Sequence, residues 1–306
     1  MKIAYIILAH KHPSQLKRLV NRLDGAEASF FIHIDKRSST NLFKKVVEEL
    51  KRLPNVYFCK QHKCYWGDFS LVEATLEGLD EIFRQEVDFD WAIHLSSQDY
   101  PIKSNRQIQL FLEKNKGHLY LENFSLPHPN WEKEDGGLNR LSYWHFRLFN
   151  KKLRITESQQ YYNKARMISF AIPNCPPFIP IKRSLPKEVQ PFAGSHYWCL
   201  PKESIDYVRK FIAQNPRTVQ FFKHTYIPDE LFFQTIIMNS PFKHNVVNDH
   251  LRYIDWSRDR EMPANLNKND FQKIYESHCL FARKFDVTKD ENILGIIDRQ
   301  ILNINP

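Results

Sequence analysis

Residues 3–9, Ile-Ala-Tyr-Ile-Ile-Leu-Ala, form an uninterrupted apolar run that ends at His10. A run of this kind, without polar alternation, is typical of a strand buried on both faces of a parallel sheet. Apolar runs and helical periodicity predict further elements downstream: strands at 30–34, 56–59 and 91–95, and helices at 14–23, at 42–53 and from Asp68 onward. This β-α-β-α-β-α-β order predicts an α/β fold with a Rossmann-like, mostly parallel sheet flanked by helices.

The second half of the chain shows weaker patterns. Residues 122–190 are rich in proline, asparagine and aromatic residues, which predicts long loops with few elements. Further elements are predicted beyond them: strands at 196–200, 251–256 and 280–285, and helices at 202–213, directly after residues 228–230, and at 291–302. Neither an internal repeat nor a low-complexity linker divides the sequence, so we predict a single domain over residues 1–306.

The composition is that of a basic globular protein. Among its 306 residues, 42% are hydrophobic and the formal net charge is +9. Such a charge indicates an anionic partner: nucleic acid, an anionic membrane surface or a phosphorylated small molecule. The basic residues are spread along the chain, which disfavours a dedicated nucleic-acid-binding tail. The odd count of five cysteines, without a secretory signal, indicates a reducing cytoplasm, and no apolar run reaches the length of a membrane span.

Polar residues follow the predicted parallel strands at their carboxyl ends, where ligands bind in such sheets. These residues are His10, Asp35, the Trp66-Gly67 turn and the loop at 96–99. Asp99 is equally well explained as a ligand-binding carboxylate or as a turn residue that caps its own backbone. The sequence contains neither Gly-x-Gly-x-x-Gly nor a Walker Gly-Lys-Ser motif, which disfavours a dinucleotide cofactor and a P-loop.

Two patterns that resemble metal sites are weak. Asp88-Phe89-Asp90 matches an Asp-x-Asp motif but precedes its strand, so we predict a solvated turn at the sheet edge opposite the crevice. The thirteen histidines show no zinc-binding helical spacing, and Cys59 and Cys64 lack a second cysteine pair. A zinc site is therefore not predicted.

Basic residues cluster around the strands predicted at 251–256 and 280–285. They are Arg252, Arg258, Arg260, Arg283 and Lys284. A cation within an apolar run must reach water, pair with a carboxylate or meet an anion, and a departing diphosphate would need such positive charge. Ion pairs with Asp255, Asp259 or Asp286 are the commoner explanation for any one of them.

The acidic pair in Pro228-Asp229-Glu230 lies at the start of an apolar helical pattern. A carboxylate at such a position accepts hydrogen bonds from the free N–H groups of the first turn and complements the helix dipole. Proline also suits a helix start. By local physics alone, the pair is predicted to be a helix cap.

Six short segments, spread between the first strand and residue 286, carry a family resemblance. They are Ile32-His33-Ile34-Asp35-Lys36, Leu95-Ser96-Ser97-Gln98-Asp99-Tyr100-Pro101-Ile102-Lys103, Gly194-Ser195-His196-Tyr197-Trp198, Pro228-Asp229-Glu230, Leu251-Arg252-Tyr253-Ile254-Asp255-Trp256 and Leu280-Phe281-Ala282-Arg283-Lys284-Phe285-Asp286. Together and in this order they resemble the core-2/I-branching β-1,6-N-acetylglucosaminyltransferases, a family that also includes peptide O-xylosyltransferases and bacterial members. The resemblance implies a GT-A-type nucleotide-diphospho-sugar transferase fold, with a nucleotide-binding half at 1–121 and an acceptor and catalytic half at 122–306.

The resemblance also implies an inverting reaction, in which one carboxylate deprotonates the acceptor hydroxyl while UDP leaves from the opposite face. It identifies that base as Glu230 and leaves Asp229 as the helix cap. The implied donor-side residues are Leu8, Ala9 and His10 at the base, Asp35 at the uridine, Trp66 beside the nucleotide and Lys284 at the diphosphate. Asp99 is added to the donor side because it follows the fourth predicted strand and would lie in the crevice. The family's second diphosphate-binding residue aligns near Glu261, which cannot serve, so Arg258 or Arg260 is predicted instead. The implied acceptor-side residues are Glu122, Arg140, His196, Trp198 and Trp256.

The expected co-substrate is a UDP-sugar, without a metal cofactor. N-acetylglucosamine is the expected sugar and xylose the alternative, and the expected acceptor is a bacterial surface polysaccharide or a lipid-linked saccharide. The chain lacks the anchor and disulfides of the animal members, which indicates a cytoplasmic enzyme with peripheral contact to the inner membrane face. A nucleotide-sugar-binding protein without turnover and a nucleic-acid-binding protein are the alternatives, and the joint presence of Glu230, Lys284 and Asp35 argues against both.

Overall fold

The computed structural model describes residues 1–38, 40–148, 151–156, 167–171, 182–259 and 262–304. In the first part of the chain, strands and helices alternate: β1 (Ile3–Ala9), α1 (Pro13–Leu23), β2 (Ala28–Ile34), α2 (Thr40–Leu50), β3 (Val56–Phe58), α3 (Ser70–Arg84), β4 (Trp91–Ser96), β5 (Tyr100–Pro101), α4 (Asn105–Lys114) and β6 (Leu119–Leu121). This alternation agrees with the order predicted from the sequence.

The rest of the chain adds shorter elements. They are β7 (Phe124–Ser125), a 3-10 helix (Pro129–Glu134), α5 (Leu138–Ser142), β8 (Trp144–Leu148), β9 (Lys151–Thr156), β10 (Met167–Ala171), β11 (Phe192–Ala193), β12 (Trp198–Pro201), α6 (Lys202–Gln214), α7 (Pro216–Phe222), a 3-10 helix (Pro228–Glu230), α8 (Phe232–Met238), a 3-10 helix (Pro241–Asn245), β13 (Val246–Val247), β14 (Arg252–Ile254), a 3-10 helix (Lys268–Asp270), α9 (Phe271–Glu276), β15 (Phe281–Arg283) and α10 (Asn292–Gln300). Among the described residues, no helix has both the length and the apolarity to cross a bilayer.

A seven-stranded sheet, in the order β13-β6-β12-β4-β1-β2-β3, forms the centre of the fold. β3, β2, β1 and β4 run parallel, β12 runs antiparallel to both of its neighbours, and β13 runs parallel to β6. Ala9 pairs with Ile34, and Leu8 pairs with Ser96. The residues that follow these strands therefore share one edge of the sheet. The prediction of a Rossmann-like, mostly parallel sheet is confirmed.

Side chains of β1 enter two apolar clusters on opposite faces of the sheet. Ile3, Tyr5 and Ile7 pack with α1, α2, α4 and α10, whereas Ala4 and Ile6 pack with α3, α6, α7 and α8. Because successive strand residues point to opposite faces, only an apolar residue at every position satisfies both clusters. This arrangement explains the continuous apolar run in the sequence.

The region at 122–190 contains more structure than predicted. Its described part includes a three-stranded sheet in the order β10-β9-β8 and a two-stranded sheet of β7 and β11. The prediction of few elements was wrong here because Lys152 and Arg154 of β9 are buried cations that read as surface residues in the sequence. Residues 149–150, 157–166 and 172–181 lie outside the described part.

Asp298 of α10 connects the last helix to α1 and to the main body of the fold. Its carboxylate accepts hydrogen bonds from Arg18 at 2.7 Å, Arg22 at 2.8 Å and the Tyr100 hydroxyl at 2.7 Å, and the residue is buried. We expect Asp298→Ala to lower the free energy of unfolding by about 3–5 kcal/mol, because it leaves partly buried arginines without their partner. Urea unfolding measures this loss, and Asp80→Ala on the exposed face of α3 should change the same quantity by less than about 0.5 kcal/mol. Equal values for the two variants would contradict a stabilising role for the network.

Candidate active site

The segment at 228–230 is held against the carboxyl edge of the sheet by its backbone. The Ile227 N–H donates to the carbonyl of Gly67 at 3.0 Å, and the Gly194 N–H donates to the carbonyl of Glu230 at 2.9 Å. A Cβ on Gly194 would collide with the carbonyl oxygen of Glu122. Glycine at 194 therefore permits the segments of Glu122 and Glu230 to approach each other.

Asp229 does not cap a helix. The 3-10 helix at 228–230 begins after Ile227 and α8 begins after Leu231, and neither has a side-chain cap. Asp229 instead points inward, where its Oδ2 lies 3.3 Å from Nδ1 of His196 and its Oδ1 has no hydrogen-bond partner among the described residues. Burial raises the pKa of Asp229 to about 6. The cap prediction was wrong because the chain forms a short 3-10 turn before the α-helix, so the residues preceding each helix are apolar.

Glu230 is the more accessible carboxylate of the pair. Its side chain is 35% exposed, and its Oε2 accepts a hydrogen bond from Nη1 of Arg140 at 2.8 Å. Arg140 is itself fixed by an ion pair with Glu134 and by stacking on Trp131. The Cζ of Arg140 lies 3.7 Å from the centre of the Trp131 ring. Burial raises the pKa of Glu230 and neighbouring Asp229 raises it further, while Arg140 opposes both effects. The arrangement is a partly exposed carboxylate with a fixed orientation and an elevated proton affinity, which are the properties that a general base requires.

Arg140 and Glu122, both predicted on the acceptor side, lie near Glu230. Arg140 is buried and contacts Glu230 directly, which makes it a positioning residue for that carboxylate. Glu122 is partly buried, and burial, together with the charge of Glu230, raises its pKa. The site therefore contains several carboxyl groups whose proton affinities are coupled.

Arg283 and Asp99 form a second charged group, next to the His196 side chain that contacts Asp229. Arg283 Nε lies 3.1 Å from Oδ1 of buried Asp99, and its Cζ lies 4.4 Å from the centre of the Tyr197 ring. Burial and the charge of Arg283 lower the pKa of His196 to about 4. His196 is therefore a neutral imidazole at neutral pH, and its carbonyl accepts a hydrogen bond from Nδ1 of His94 at 3.1 Å. Asp99, predicted as a donor-side residue, is engaged by Arg283 in this structure.

The predicted uridine-side residues meet at one end of the crevice. Oδ1 of Asp35 accepts hydrogen bonds from the backbone N–H groups of Arg37 at 2.8 Å and Cys64 at 3.1 Å. This carboxylate thus joins the loop after β2 to the loop after β3. Trp66, in the second loop, is 53% exposed, so part of its indole ring is accessible to a ligand.

The end of β1 completes this side of the crevice. His10 is exposed, Leu8 is partly buried and Ala9 is buried. The Ala9 carbonyl accepts the N–H of Asp35 at 2.8 Å, so its hydrogen bonding is used within the sheet. His10 is the member of this trio whose side chain is most available to a ligand.

Lys152 braces the Trp66-Gly67 turn and is not among the site residues predicted from the sequence. Lys152 comes from β9, and its Nζ lies 3.2 Å from Oδ1 of Asp68 and donates to the carbonyl of Gly67. Burial lowers the pKa of Lys152 to about 8. No local signal pointed to this residue, because it lies in the segment that was predicted to form loops.

Lys284 is the most available cation of the predicted diphosphate group. Burial, followed by the charges of Arg283 and Lys11, lowers the pKa of Lys284, and no ion pair forms with it among the residues that the structure describes. Lys11, which is not among the predicted site residues, lies close by and pairs with Asp286 at 3.0 Å. Its position directly after His10 at the end of β1 is the signal that could have identified it.

The remaining predictions concern Arg258 and Arg260 at the diphosphate and Trp256 at the acceptor. Arg258 pairs with Asp270 and lies 3.4 Å from Asp255, so its guanidinium is engaged by carboxylates and the structure does not support it as the second diphosphate-binding cation. Arg260 lies outside the described residues. Trp256 is 48% exposed, which leaves its ring accessible to an acceptor.

Trp198 cannot contact an acceptor directly. It is fully buried, with ring centres 5.4 Å from Phe233 and 5.3 Å from His94. The prediction was wrong because Trp198 belongs to β12, which is a central strand of the sheet, so both faces of the strand are covered.

The Asp88-Phe89-Asp90 turn lies at the start of β4, away from the crevice, as predicted. Asp88 is exposed and pairs with Lys2 at 3.0 Å and Lys202 at 3.1 Å. Asp90 accepts the backbone N–H of Lys2 at 2.7 Å. These carboxylates brace the amino edge of the sheet.

Comparisons with known proteins agree with the resemblance. The Core-2/I-Branching enzyme family matches residues 3–275. Xylosyltransferase 2 of Rattus norvegicus is 26% identical over 328 residues, covering 100% of this chain and 34% of the relative. Xylosyltransferase 1 of Pan troglodytes is 24% identical over 319 residues, covering 97% of this chain and 30% of the relative. This chain therefore spans about a third of the length of the curated relatives it matches.

Among solved structures, the apo form of mouse xyloside xylosyltransferase 1 is 14% identical and has a TM-score of 0.37, over 92% of this chain and 97% of that chain. The family match is the stronger finding, since it covers most of the sequence and includes five of the six resembling segments in full. The chain belongs to the core-2/I-branching enzyme family of glycosyltransferases.

Proposed function

We propose that the protein transfers a sugar from a UDP-sugar to a hydroxyl group of a glycan acceptor, with inversion at the sugar carbon and with Glu230 as the general base. The observation that carries this proposal is the environment of Glu230. The carboxylate is accessible from the crevice, is fixed by Arg140, and has a raised pKa that favours proton uptake.

In the proposed reaction, Glu230 accepts the proton of the acceptor hydroxyl. The acceptor oxygen forms a bond to the anomeric carbon as the bond from that carbon to the UDP oxygen breaks on the opposite face. The leaving diphosphate carries away the bonding electron pair, and its charge is stabilised by nearby cations. Lys284 and Lys11 are the cations we assign to this role, since Arg258 is engaged by Asp255 and Asp270.

On the donor side, we propose that Asp35 contacts the uridine and that Trp66 packs against the nucleotide. Asp35 lies where the ends of β1 and β2 meet the Cys64 loop, and the indole of Trp66, in the same loop as Cys64, is half exposed. Asp99 is proposed to act indirectly, by orienting Arg283. We propose that transfer needs no metal, because Lys284 and Lys11 can supply the positive charge. The Asp88-x-Asp90 pair, which could otherwise bind a metal, lies at the opposite edge of the sheet, where Asp88 pairs with Lys2 and Lys202.

For the transferred sugar, we propose N-acetylglucosamine, with xylose as the second candidate. The names of the curated relatives favour xylose, at 24–26% identity. For the acceptor, we propose a bacterial surface polysaccharide or a lipid-linked glycan. The net charge of +9 is compatible with work at an anionic membrane surface on the cytoplasmic side.

Thermal unfolding with UDP, UDP-N-acetylglucosamine, UDP-xylose and GDP tests the proposal. Each ligand is measured in EDTA and again in Mn²⁺. We expect UDP and one UDP-sugar to stabilise the protein in EDTA, by roughly 2.7 kcal/mol at a concentration about a hundred times the dissociation constant, while GDP has a smaller effect. A shift that requires Mn²⁺ would contradict metal-independent binding, and no shift with any uridine nucleotide would contradict the transferase proposal.

The pH dependence of transfer tests the base. Glu230 must be ionised to accept a proton, so kcat/KM should fall as the pH drops through its raised pKa. The acidic limb should therefore lie above the ordinary value of a glutamate. Arg140 favours the ionised form, so Arg140→Gln should move this limb upward by about one pH unit. Comparison of pH–rate profiles, with folding checked by circular dichroism, measures the shift, and a limb that does not move in Arg140→Gln would argue against Glu230 as the titrating group.

A further inference from the structure

Three potential metal ligands meet beside the Asp35 loop, outside the proposed transfer chemistry. His33 lies in β2, while His62 and Cys64 lie in the loop that follows β3. One ligand atom from each residue lies within 4.8 Å of the others, and the centres of the two imidazole rings are 4.5 Å apart. His33 and Cys64 are buried, whereas His62 is partly exposed and leaves the cluster open to solvent on one side.

The hydrogen bonds around the two histidines identify their unprotonated nitrogens. Nε2 of His33 accepts the backbone N–H of His62 at 3.3 Å, so neutral His33 carries its proton on Nδ1. The Ser70 carbonyl, which can only accept, lies 2.9 Å from Nε2 of His62. Nε2 of His62 therefore carries a proton, and in the neutral tautomer Nδ1 is the nitrogen with a lone pair. A histidine that donates its other N–H to a backbone carbonyl is typical of a metal ligand.

The electrostatic state of the cluster is also compatible with a cation. Burial, with a contribution from His62, lowers the pKa of His33 to about 4, so this imidazole is neutral at neutral pH. Its Nε2 lone pair accepts the His62 N–H in this structure, and a metal would take the place of that hydrogen bond. Burial raises the pKa of the Cys64 thiol to about 12. A bound metal would lower the pKa of the Cys64 thiol again, because the thiol loses its proton when its sulfur coordinates a metal.

We propose that His33, His62 and Cys64 bind a single Zn²⁺ ion, with solvent in the fourth coordination position. A set of two imidazoles and one thiolate suits Zn²⁺ and disfavours Mg²⁺ and Ca²⁺, which prefer oxygen ligands. With Zn–N near 2.0 Å and Zn–S near 2.3 Å, tetrahedral ligand atoms lie roughly 3.5 Å apart. Movements of about 1 Å by side chains would therefore close the site.

The site would fix the conformation of the loop that carries it. The Lys36 N–H donates to the His62 carbonyl at 3.0 Å, and the Cys64 N–H donates to Asp35 at 3.1 Å. A metal bonded to His33, His62 and Cys64 would thus join β2 to the loop before Trp66 through side chains as well as backbone. This role is structural and does not depend on which sugar is transferred.

This site is not predictable from the sequence because its ligands do not have the spacing of a known zinc motif. His62-Lys63-Cys64 supplies two ligands, and the third, His33, lies on a different strand. Only the parallel pairing of β2 with β3 brings His33 beside them.

Cobalt substitution tests the proposal in the full chain. Metal-free protein is titrated with Co²⁺, and we expect saturation at a single equivalent, visible d–d bands of tetrahedral intensity and a near-ultraviolet band from thiolate-to-Co²⁺ charge transfer. Zn²⁺ should displace Co²⁺ and remove these bands. Cys64→Ser should lose the charge-transfer band and bind Zn²⁺ at least about tenfold more weakly, whereas Cys279→Ser, at a buried free cysteine elsewhere in the fold, should behave as the wild type.

A second measurement needs no variant. X-ray absorption at the zinc edge of the wild-type protein, loaded with one equivalent of Zn²⁺, should show one sulfur scatterer near 2.3 Å and nitrogen scatterers near 2.0 Å. A coordination shell without sulfur would overturn the proposal. Equal Zn²⁺ affinity in Cys64→Ser and Cys279→Ser would also overturn it. Both outcomes are independent of UDP-sugar binding, so they are distinguishable from a failure of the proposed function.

Discussion

Glu230→Gln should reduce the rate of sugar transfer by about 10²–10⁴-fold, the usual contribution of a general base. Glutamine has the same shape, and its amide oxygen can still accept the hydrogen bond from Arg140, which is 2.8 Å from the carboxylate in the wild type. What it loses is the ability to take a proton from the acceptor. Steady-state transfer assays and UDP-dependent thermal shifts, measured on the same preparation, should therefore show loss of turnover with retained nucleotide binding.

Glu203→Gln is the matched control for this experiment. Glu203 lies exposed in the first turn of α6, outside the crevice, so its substitution should leave turnover unchanged. If Glu230→Gln retains turnover close to that of Glu203→Gln, the base is another group. Asp229 is poorly placed to replace it, because its carboxylate is buried and directed at His196.

The central sheet is largely predictable from the sequence. The run at 3–9 is apolar at every position because β1 has helices on both faces. A continuous apolar run of this length therefore suffices to predict a strand that is buried on both faces. The parallel order of the strands then implies that the ends of β1 and β2 are neighbours, which places His10 and Asp35 at one edge of the sheet.

Features that depend on tertiary packing were not predictable in the same way. Local helix statistics favour Asp229 as a cap, but packing turns its side chain toward His196. Lys152 reads as a surface residue, yet it is buried where it braces the Gly67 turn. In both cases the deciding partner lies far away along the sequence, so no local pattern reports it.

The same limit applies to Trp198. Aromatic residues in glycan-binding proteins often stack on sugars, and the motif offered no means of separating that role from core packing. Because β12 lies between β4 and β6 in the central sheet, Trp198 packs in the core. Trp256, which the structure leaves half exposed, is the better candidate for an acceptor contact.

Lys284→Gln should weaken UDP binding by about 10–100-fold, which corresponds to roughly 1.4–2.7 kcal/mol, and should also lower kcat. Among the described residues, Lys284 makes no ion pair, whereas neighbouring Lys11 already pairs with Asp286. A cation that is partly desolvated and makes no ion pair within the protein gains more from a bound diphosphate than one that must first give up a carboxylate. The effect on kcat follows because charge accumulates on the leaving diphosphate as its bond to the sugar breaks.

Lys289→Gln is the control, since it removes the same charge from an exposed position close by in the sequence. A general loss of positive potential would weaken UDP binding equally in both variants, and binding in both would then recover with lower salt. A direct contact to the diphosphate predicts a loss confined to Lys284→Gln. Uridine, which lacks the diphosphate, should bind both variants as it binds the wild type, because the contacts proposed at Asp35 and Trp66 do not involve either lysine. If Lys284→Gln weakens uridine and UDP alike, the residue supports the fold of the crevice rather than the phosphates, and the diphosphate must be held by another cation.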